Sequence, residues 1–404
     1  MTGARPAGAR WGPNEAKQHE ALWLFCQVVD NFGDAGVSWR LARELAARHG
    51  FHPTLIIDDP ATLARIEPRV CLDLKGAPTL APVIDGVRIQ NARAWSAPPN
   101  EPLAAVVVSA FGCELPQWLR SALAGGPAHP LWIHLDYLSA EPWVDSCNGL
   151  VSVKPTDAAR EHFIYPGFTV RTAGLLREAD LVERRAVFEE EGGRAGFFRR
   201  LGVRYAAQQC LVSLFAYPSA PIAEWFACIA QGNNPTLVCA AGGCADEAIA
   251  TYFGRVPAPL ERLASGRLEV VGLPMLSQNH YDELLWSCDI NLVRGEDSWI
   301  RAHWAHAPLV WQAYPQTDGA HHRKLEAFLK RLSETLPASQ SVAPAEAFMR
   351  AWNRTANAPA LAQAWQEVVT GLAQLRCAFK TWTTSLEKQS DLATQLALYC
   401  RDRI

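Results

Sequence analysis

The chain has no run of about 18 apolar residues, so no segment reads as a membrane-spanning helix. It has no Cys-x-x-Cys pair, and its eleven cysteines are an odd number scattered from Cys26 to Cys400. Cys239 and Cys244 are close, but no second pair with zinc-like spacing accompanies them, which points to buried thiols in a reducing compartment. Excess charge of either sign is missing too. With 38 Lys and Arg against 41 Asp and Glu the net charge is −3, which argues against a nucleic-acid scaffold, since neutralising phosphates needs a basic surface. GxGxxG, GxxxxGK[ST], HExxH and Asp-x-Asp are all absent, removing the common phosphate cradles and metal-bound nucleotide sites. The opening "MTGARPAGARWGPNEAKQHE" lacks the apolar centre of a signal peptide, so the expected location is the cytoplasm and residues 1–20 read as a loose extension.

What is present is a long, apolar, tryptophan-rich chain. At 404 residues, 49% hydrophobic and with 15 tryptophans, it exceeds one ordinary core and predicts two domains. "ALWLFCQVV" is a continuous apolar run, the mark of a strand buried on both faces. After the turn "DNFGD", Val37, Leu41 and Leu45 recur every fourth position, with Arg40, Arg43, Glu44 and Arg48 elsewhere on the wheel and Gly50 closing the helix. "HPTLIID", "LAAVVVSAF" and "PLWIHLDYL" continue as strands of an open parallel sheet. The alternation restarts near residue 180 with "QQCLVSLFAY", "TLVCAAG", "GRLEVVGL", "INLVRG" and "PLVWQAY" as strands, and "DSWIRAHWAHA" among the helices. From about residue 344 the chain reads as helical.

Ligands of open α/β sheets gather beyond the carboxyl ends of the strands, so two turns stand out. In "DNFGD" the acids Asp30 and Asp34 suit turn and capping roles, or the binding and deprotonation of a cationic group. In "RGEDSWIRA", Asp297 and Ser298 are good N-caps, while Arg294, Ser298 and the helix N-terminus suit a diphosphate. Glu296 and Asp297 repel phosphate and suit a sugar hydroxyl or the orientation of Arg294. His303, His306, His321 and His322 lack the converging acids or cysteines of a metal site. "HLDYLSAEPWV" presents Asp136, Tyr137, Glu141 and Trp143, a surface loop or a face for a basic partner.

Together "VVDNFGDAGVSWRLARELA", "HLDYLSAEPWV", "FIYPGF" and "LLWSCDINLVRGEDSWIRA" resemble the bacterial protein-arginine rhamnosyltransferases that modify translation elongation factor P. The resemblance implies an α/β GT-B fold: an acceptor-binding Rossmann-like domain over residues 21–178, a nucleotide-sugar domain over 179–379, and a C-terminal helix from about 380 crossing back. It implies inverting, metal-free and cofactor-free transfer of L-rhamnose from dTDP-β-L-rhamnose to one arginine of elongation factor P, readying that factor for ribosomes stalled at polyproline. Matched residue by residue, it makes Asp34 the general base and Asp30 the clamp on the acceptor guanidinium. It places Arg294, Glu296, Asp297, Ser298, Gln278, Tyr217 and Gly33 on the donor, with Gln278 at the base and Tyr217 at the sugar or diphosphate. It places Asp136, Tyr137, Glu141 and Trp143 on the acceptor. Met275 and Leu276 depart from the family pattern, standing where an aromatic platform for thymine is expected. The rival readings are a GT-B enzyme with a small-molecule or lipid acceptor, which would show a basic or apolar membrane-facing stretch, and a non-catalytic nucleotide-binding regulator, which would not need Asp30 and Asp34.

Overall fold

The computed structural model describes residues 21–30, 32–71, 83–124, 130–153, 159–356 and 358–404. The N-terminal extension expected over residues 1–20 lies outside them. Two sheets form, each mostly parallel. The first takes β1 (Ala21–Cys26), β2 (His52–Ile57), β3 (Val83–Ile84), β4 (Val87–Asn91), β5 (Val106–Ala110), β6 (Leu131–Leu135), β7 (Val151–Val153) and β8 (Arg160–Ile164) in the order β3-β4-β2-β1-β5-β6-β8-β7. Only the two outermost strands, β3 and β7, run antiparallel. The second takes β9 (Cys210–Leu214), β10 (Thr236–Ala241), β11 (Arg262–Ser265), β12 (Leu268–Leu273), β13 (Ile290–Arg294) and β14 (Leu309–Gln312) in the order β11-β12-β10-β9-β13-β14. The antiparallel member is again an edge strand, β11.

The central strands are the continuous apolar runs of the sequence because helices cover both faces of each sheet and leave no wet side. In β1, Leu22 through Cys26 are all buried. Parallel register also fixes where the site must be. Cys26 pairs with Ile57 and Ala110, so the segments after β1, β2 and β5 leave the first sheet at one edge. Arg294 pairs with Gln312 and Leu292 with Leu214, which brings the segments after β9, β13 and β14 to a common edge of the second. The two edges face each other.

The helix after β1 spans Phe32–His49 and is buried on nearly every side from Gly33 to Leu45. Arg40 and Glu44, which the helical wheel puts apart from the apolar stripe, are buried as well, because their partners come from distant parts of the chain. The helix predicted over residues 297–307 stops at His303. The C-terminal region forms helices at Ala343–Trp352, Leu361–Thr370, Leu372–Glu387 and Leu392–Arg401. The last of these lies against the first sheet's elements: Asp391 pairs with Arg48 at 3.2 Å, Arg401 Nη2 donates to the carbonyl of His49 at 2.7 Å, and Tyr399 meets His162 at 2.8 Å. No helix among the described residues is long and apolar enough to cross a membrane.

Candidate active site

The turn after β1 is held together by one of its own acids. Asp34, in the first turn of the Phe32–His49 helix, accepts hydrogen bonds at Oδ2 from the backbone N–H groups of Val29 and Asp30, both at 2.8 Å. Its other oxygen, Oδ1, is buried with no hydrogen-bond partner among the described residues. The Tyr137 hydroxyl bears on this carboxylate, and the Tyr137 ring is itself held by stacking on Phe111 at 4.7 Å. Burial raises the pKa of Asp34, against the lowering by the two N–H groups and Tyr137.

Asp30 points the other way, toward the second sheet. Arg294 Nη1 lies 3.7 Å from Asp30 Oδ1, an ion pair beyond hydrogen-bond reach. Two glycines make room for the carboxylate. A Cβ on Gly33 would sit 2.9 Å from Asp30 Oδ2, and one on Gly295, which has φ +61, would collide with Asp30 Oδ2 and crowd the Tyr217 hydroxyl. Burial pushes Asp30 up to about 6, although the Tyr217 hydroxyl and the Arg294 charge both pull it down.

The turn after β13 is gripped from the first sheet's side at three of its residues. Arg294 faces Asp30. Glu296 Oε1 accepts from the backbone N–H of Leu138 at 2.5 Å. Asp297 Oδ1 accepts from Arg40 Nε at 3.1 Å. The Arg294 guanidinium sits over the rings of Phe215 at 4.5 Å and Tyr217 at 4.4 Å, cation–π contacts that hold it without quenching its charge. Burial raises Glu296 far above the usual carboxylate range, with the Asp34 charge adding to the effect and Lys324 opposing it. Asp297 is also raised by burial, with Arg40 pulling against it.

Two compartments meet at Asp30. One, of about 590 Å³, is mostly apolar: Phe32 and Ile66 come from the first sheet's side, and Phe215, Gly242, Met275, Leu276 and Tyr281 from the second, with Arg294, Gln278, Asp297 and Ser298 as its polar groups. The other, of about 870 Å³, is lined by Val29, Phe111, Tyr137, Glu296, Tyr314, His321 and Lys324. Asp30 lines both. The arrangement gives an apolar slot with one guanidinium at its inner end, a carboxylate at the junction, and an acidic and aromatic chamber beyond.

Comparisons with known proteins identify the family. The model of the family described as "Elongation-Factor P (EF-P) rhamnosyltransferase EarP" matches residues 22–401. The chain belongs to the EarP family. A "Protein-arginine rhamnosyltransferase" of Pseudomonas aeruginosa is 39% identical over 394 residues, covering 95% of this chain and 99% of the relative. Another of Pseudomonas putida is 37% identical over 396 residues, covering 95% and 100%. A solved structure described as "Structural basis for EarP-mediated arginine glycosylation of translation elongation factor EF-P" matches with a TM-score of 0.61 and 28% identity over 95% of this chain and 99% of that one. The fold is GT-B and the chain is a glycosyltransferase.

Set beside the EarP resemblance, the structure brings Asp30, Gly33, Tyr137, Gln278, Arg294, Glu296, Asp297 and Ser298 to the walls of the two compartments, whereas Asp34 and Tyr217 line neither and lie buried behind them, Asp34 beside Tyr137 and Tyr217 beside Asp30. Glu141 and Trp143 line neither compartment: Glu141 accepts from Ser139 Oγ, and Trp143 packs edge-on against Tyr165 at the surface. Asp136 accepts from the backbone N–H of Tyr137, which fixes the start of that loop. Two expectations need correction. The residue at the N-cap is Glu296, not Asp297 or Ser298, and the Ser298 hydroxyl turns back to the backbone of Arg294. With only seven residues, Asp297–His303 contributes little dipole, so Arg294 is the main positive charge in the slot. Gln278 sends its amide N–H₂ toward the Gly36 carbonyl at 3.2 Å and Asp297 at 3.4 Å, leaving only its buried oxygen unpartnered.

The histidines do not converge. His303 is a core residue whose Nδ1 accepts from Trp382 and whose pKa burial drives down to about 3. His306 meets Arg185 and Glu387. Among the described residues no group of three His, Cys, Asp or Glu is placed to hold a metal. The residues that sequence reasoning missed are Phe215, Tyr281, Phe32 and Lys324. The first had a signal, an aromatic directly after a buried strand at the carboxyl edge.

Proposed function

We propose that this chain transfers L-rhamnose from dTDP-β-L-rhamnose to an arginine side chain of translation elongation factor P, inverting the anomeric centre and using no metal or cofactor. The observation that carries the proposal is the Asp30 junction, where an apolar slot ending in Arg294 opens onto an acidic chamber. The nucleotide enters the slot among Phe32, Phe215 and Tyr281, aromatic surface that compensates for Met275 and Leu276 in the base platform. Its diphosphate meets Arg294, which is held over two rings and offers charge-assisted hydrogen bonds to the leaving oxygen as negative charge grows there.

The acceptor guanidinium is protonated and its lone pairs are delocalised, so it is a weak nucleophile until its proton leaves. Deprotonation before attack is out of reach of a carboxylate, and the proton departs as the nitrogen bonds to the anomeric carbon. In Asp34, Oδ2 is committed to two backbone N–H groups and Oδ1 is the atom free to take that proton. The guanidinium bonds to Oδ1, while Asp30 orients it from the other side. Bond formation at the face opposite the diphosphate breaks the bond to the leaving group and gives the α-linked product. The modified factor would then serve ribosomes stalled at polyproline.

Intact-mass and peptide analysis of elongation factor P incubated with this protein, dTDP-β-L-rhamnose and a chelator tests the reading. One deoxyhexose on one arginine is the expected result. An unmodified acceptor refutes it.

A further inference from the structure

We infer that Arg40 and Gly36, on the helix whose first turn carries Asp34, are positioning residues that lock the donor turn to the acceptor acids and thereby couple the binding of the two substrates. The inference rests on the donor and acceptor assignment proposed above and adds how the two halves communicate.

Gly33, Gly36 and Arg40 fall three and four residues apart, one face of the Phe32–His49 helix. That face meets the turn after β13. Neither glycine has a positive φ, so backbone conformation does not require them. Space does. A Cβ on Gly36 would sit 2.8 Å from Asp297 Oδ2 and 2.9 Å from its Cγ. The bare Gly36 backbone also accepts from Gln278 at 3.2 Å.

Arg40 lies at the end of the same face and is 1% exposed. Nε donates to Asp297, Nη1 to Glu178 at 2.7 Å and Asp282 at 3.5 Å, and Nη2 to Asp282 and to the Gln278 carbonyl, each at 3.4 Å. One planar fork thus holds two residues of the donor compartment from two different elements, plus Glu178 from the segment between the sheets. Arg301 shares Glu178 and Asp282, bonding to both oxygens of Asp282 at 2.8 Å. Arg184 adds a third cation at 3.2 Å from Asp282, so three arginines balance Glu178, Asp282 and Asp297. Arg40, Arg301, Glu178 and Asp282 line neither compartment. They act through the groups they hold.

A movement of Asp297 or Gln278 on donor binding is therefore passed to this helix and, at its first turn, to Asp34. By linkage the coupling is reciprocal. Lysine cannot reproduce the fork. Alanine at position 36 is a better helix former than glycine, so harm from it would come from the contact and not from the helix.

The test compares wild type with Gly36→Ala, Arg40→Lys and, as a control on the same helix, Arg43→Ala, whose guanidinium pairs with Asp85 at 3.0 Å. Calorimetry gives the affinity for dTDP, for elongation factor P, and for elongation factor P on enzyme saturated with dTDP. Wild type and Arg43→Ala should bind the acceptor about 5-fold or more tighter when dTDP is present, the lower end of typical coupling. Gly36→Ala and Arg40→Lys should bind the acceptor alone within about 2-fold of wild type, lose that enhancement, and turn over about 10-fold more slowly. Should Arg40→Lys not fold, Gly36→Ala decides. Enhancement of wild-type size in a folded Gly36→Ala, or no enhancement in wild type, overturns the inference while leaving the proposed reaction standing. A wild type that binds neither ligand overturns both.

Discussion

Two turns of this molecule are built alike and satisfied differently. Each follows a buried central strand, β1 or β13, and each carries two acids. In the first, Asp34 spends one oxygen on N–H groups four and five residues back in its own turn. In the second, Glu296 and Asp297 find their donors 158 and 257 residues away, on Leu138 and Arg40. A self-satisfied turn holds its shape whatever the other domain does and suits a group that must keep one oxygen free. A turn satisfied across the cleft takes its shape from the docking of the two halves. The first is suited to chemistry, the second to sensing that both halves are in place.

Breaking the comparison at its strongest point means separating the two jobs of Asp34. Asp34→Asn keeps an oxygen for Val29 and Asp30 but loses the base, and transfer should fall about 10³-fold while dTDP affinity changes by no more than about 3-fold. Asp34→Ala should lose activity too and in addition lower stability by about 1–2 kcal/mol, read by urea denaturation, because one buried and one part-buried N–H group lose their acceptor. On the other turn, Arg294→Ala should weaken dTDP binding about 30- to 100-fold, the loss of a charge-assisted contact, and leave acceptor affinity within about 3-fold.

The pH behaviour sharpens the contrast further. Asp30 is raised from 3.8 to about 6 chiefly by burial, so the acid limb of kcat/KM should lie near pH 6 and activity should rise as Asp30 and Asp34 ionise. For stability the sign is opposite. A raised carboxyl pKa favours the folded state while the group is protonated, below about pH 4, and that contribution is lost as pH rises through 6. Asp30→Asn should then be more stable than wild type at pH 7.5 by about 1–3 kcal/mol, with the gap closing at pH 4 in urea titrations. The smallest effect belongs to the slot's first-sheet wall: Phe32→Ala should weaken dTDP binding about 3- to 10-fold, the worth of one aromatic contact.

The strands were legible because burial on both faces leaves an unbroken apolar run, and the two turns were legible because parallel sheets gather their carboxyl edges. What local pattern could not supply were partners distant in sequence. Arg40 and Glu44 read as a polar helix face, yet Glu178, Asp282 and Asp297 bury the first, while Arg48 and the Ala179 N–H engage the second. Asp297 and Ser298 read as caps by composition, but one is drawn to Arg40 and the other to the Arg294 backbone. The helix predicted through Ala307 ends early, with His306 at φ +54 just beyond it. Lys324 gave no signal and His321 only the look of a metal ligand, since only the fold brings that helix beside Tyr137.

The central claim is a single displacement carried out between these two turns, with Asp34 on one side of the sugar and Arg294 on the other. The anomeric configuration of the rhamnosyl-arginine formed from dTDP-β-L-rhamnose, read by NMR on the modified acceptor, tests it most directly. The α linkage is the predicted result, and a β linkage would contradict the account.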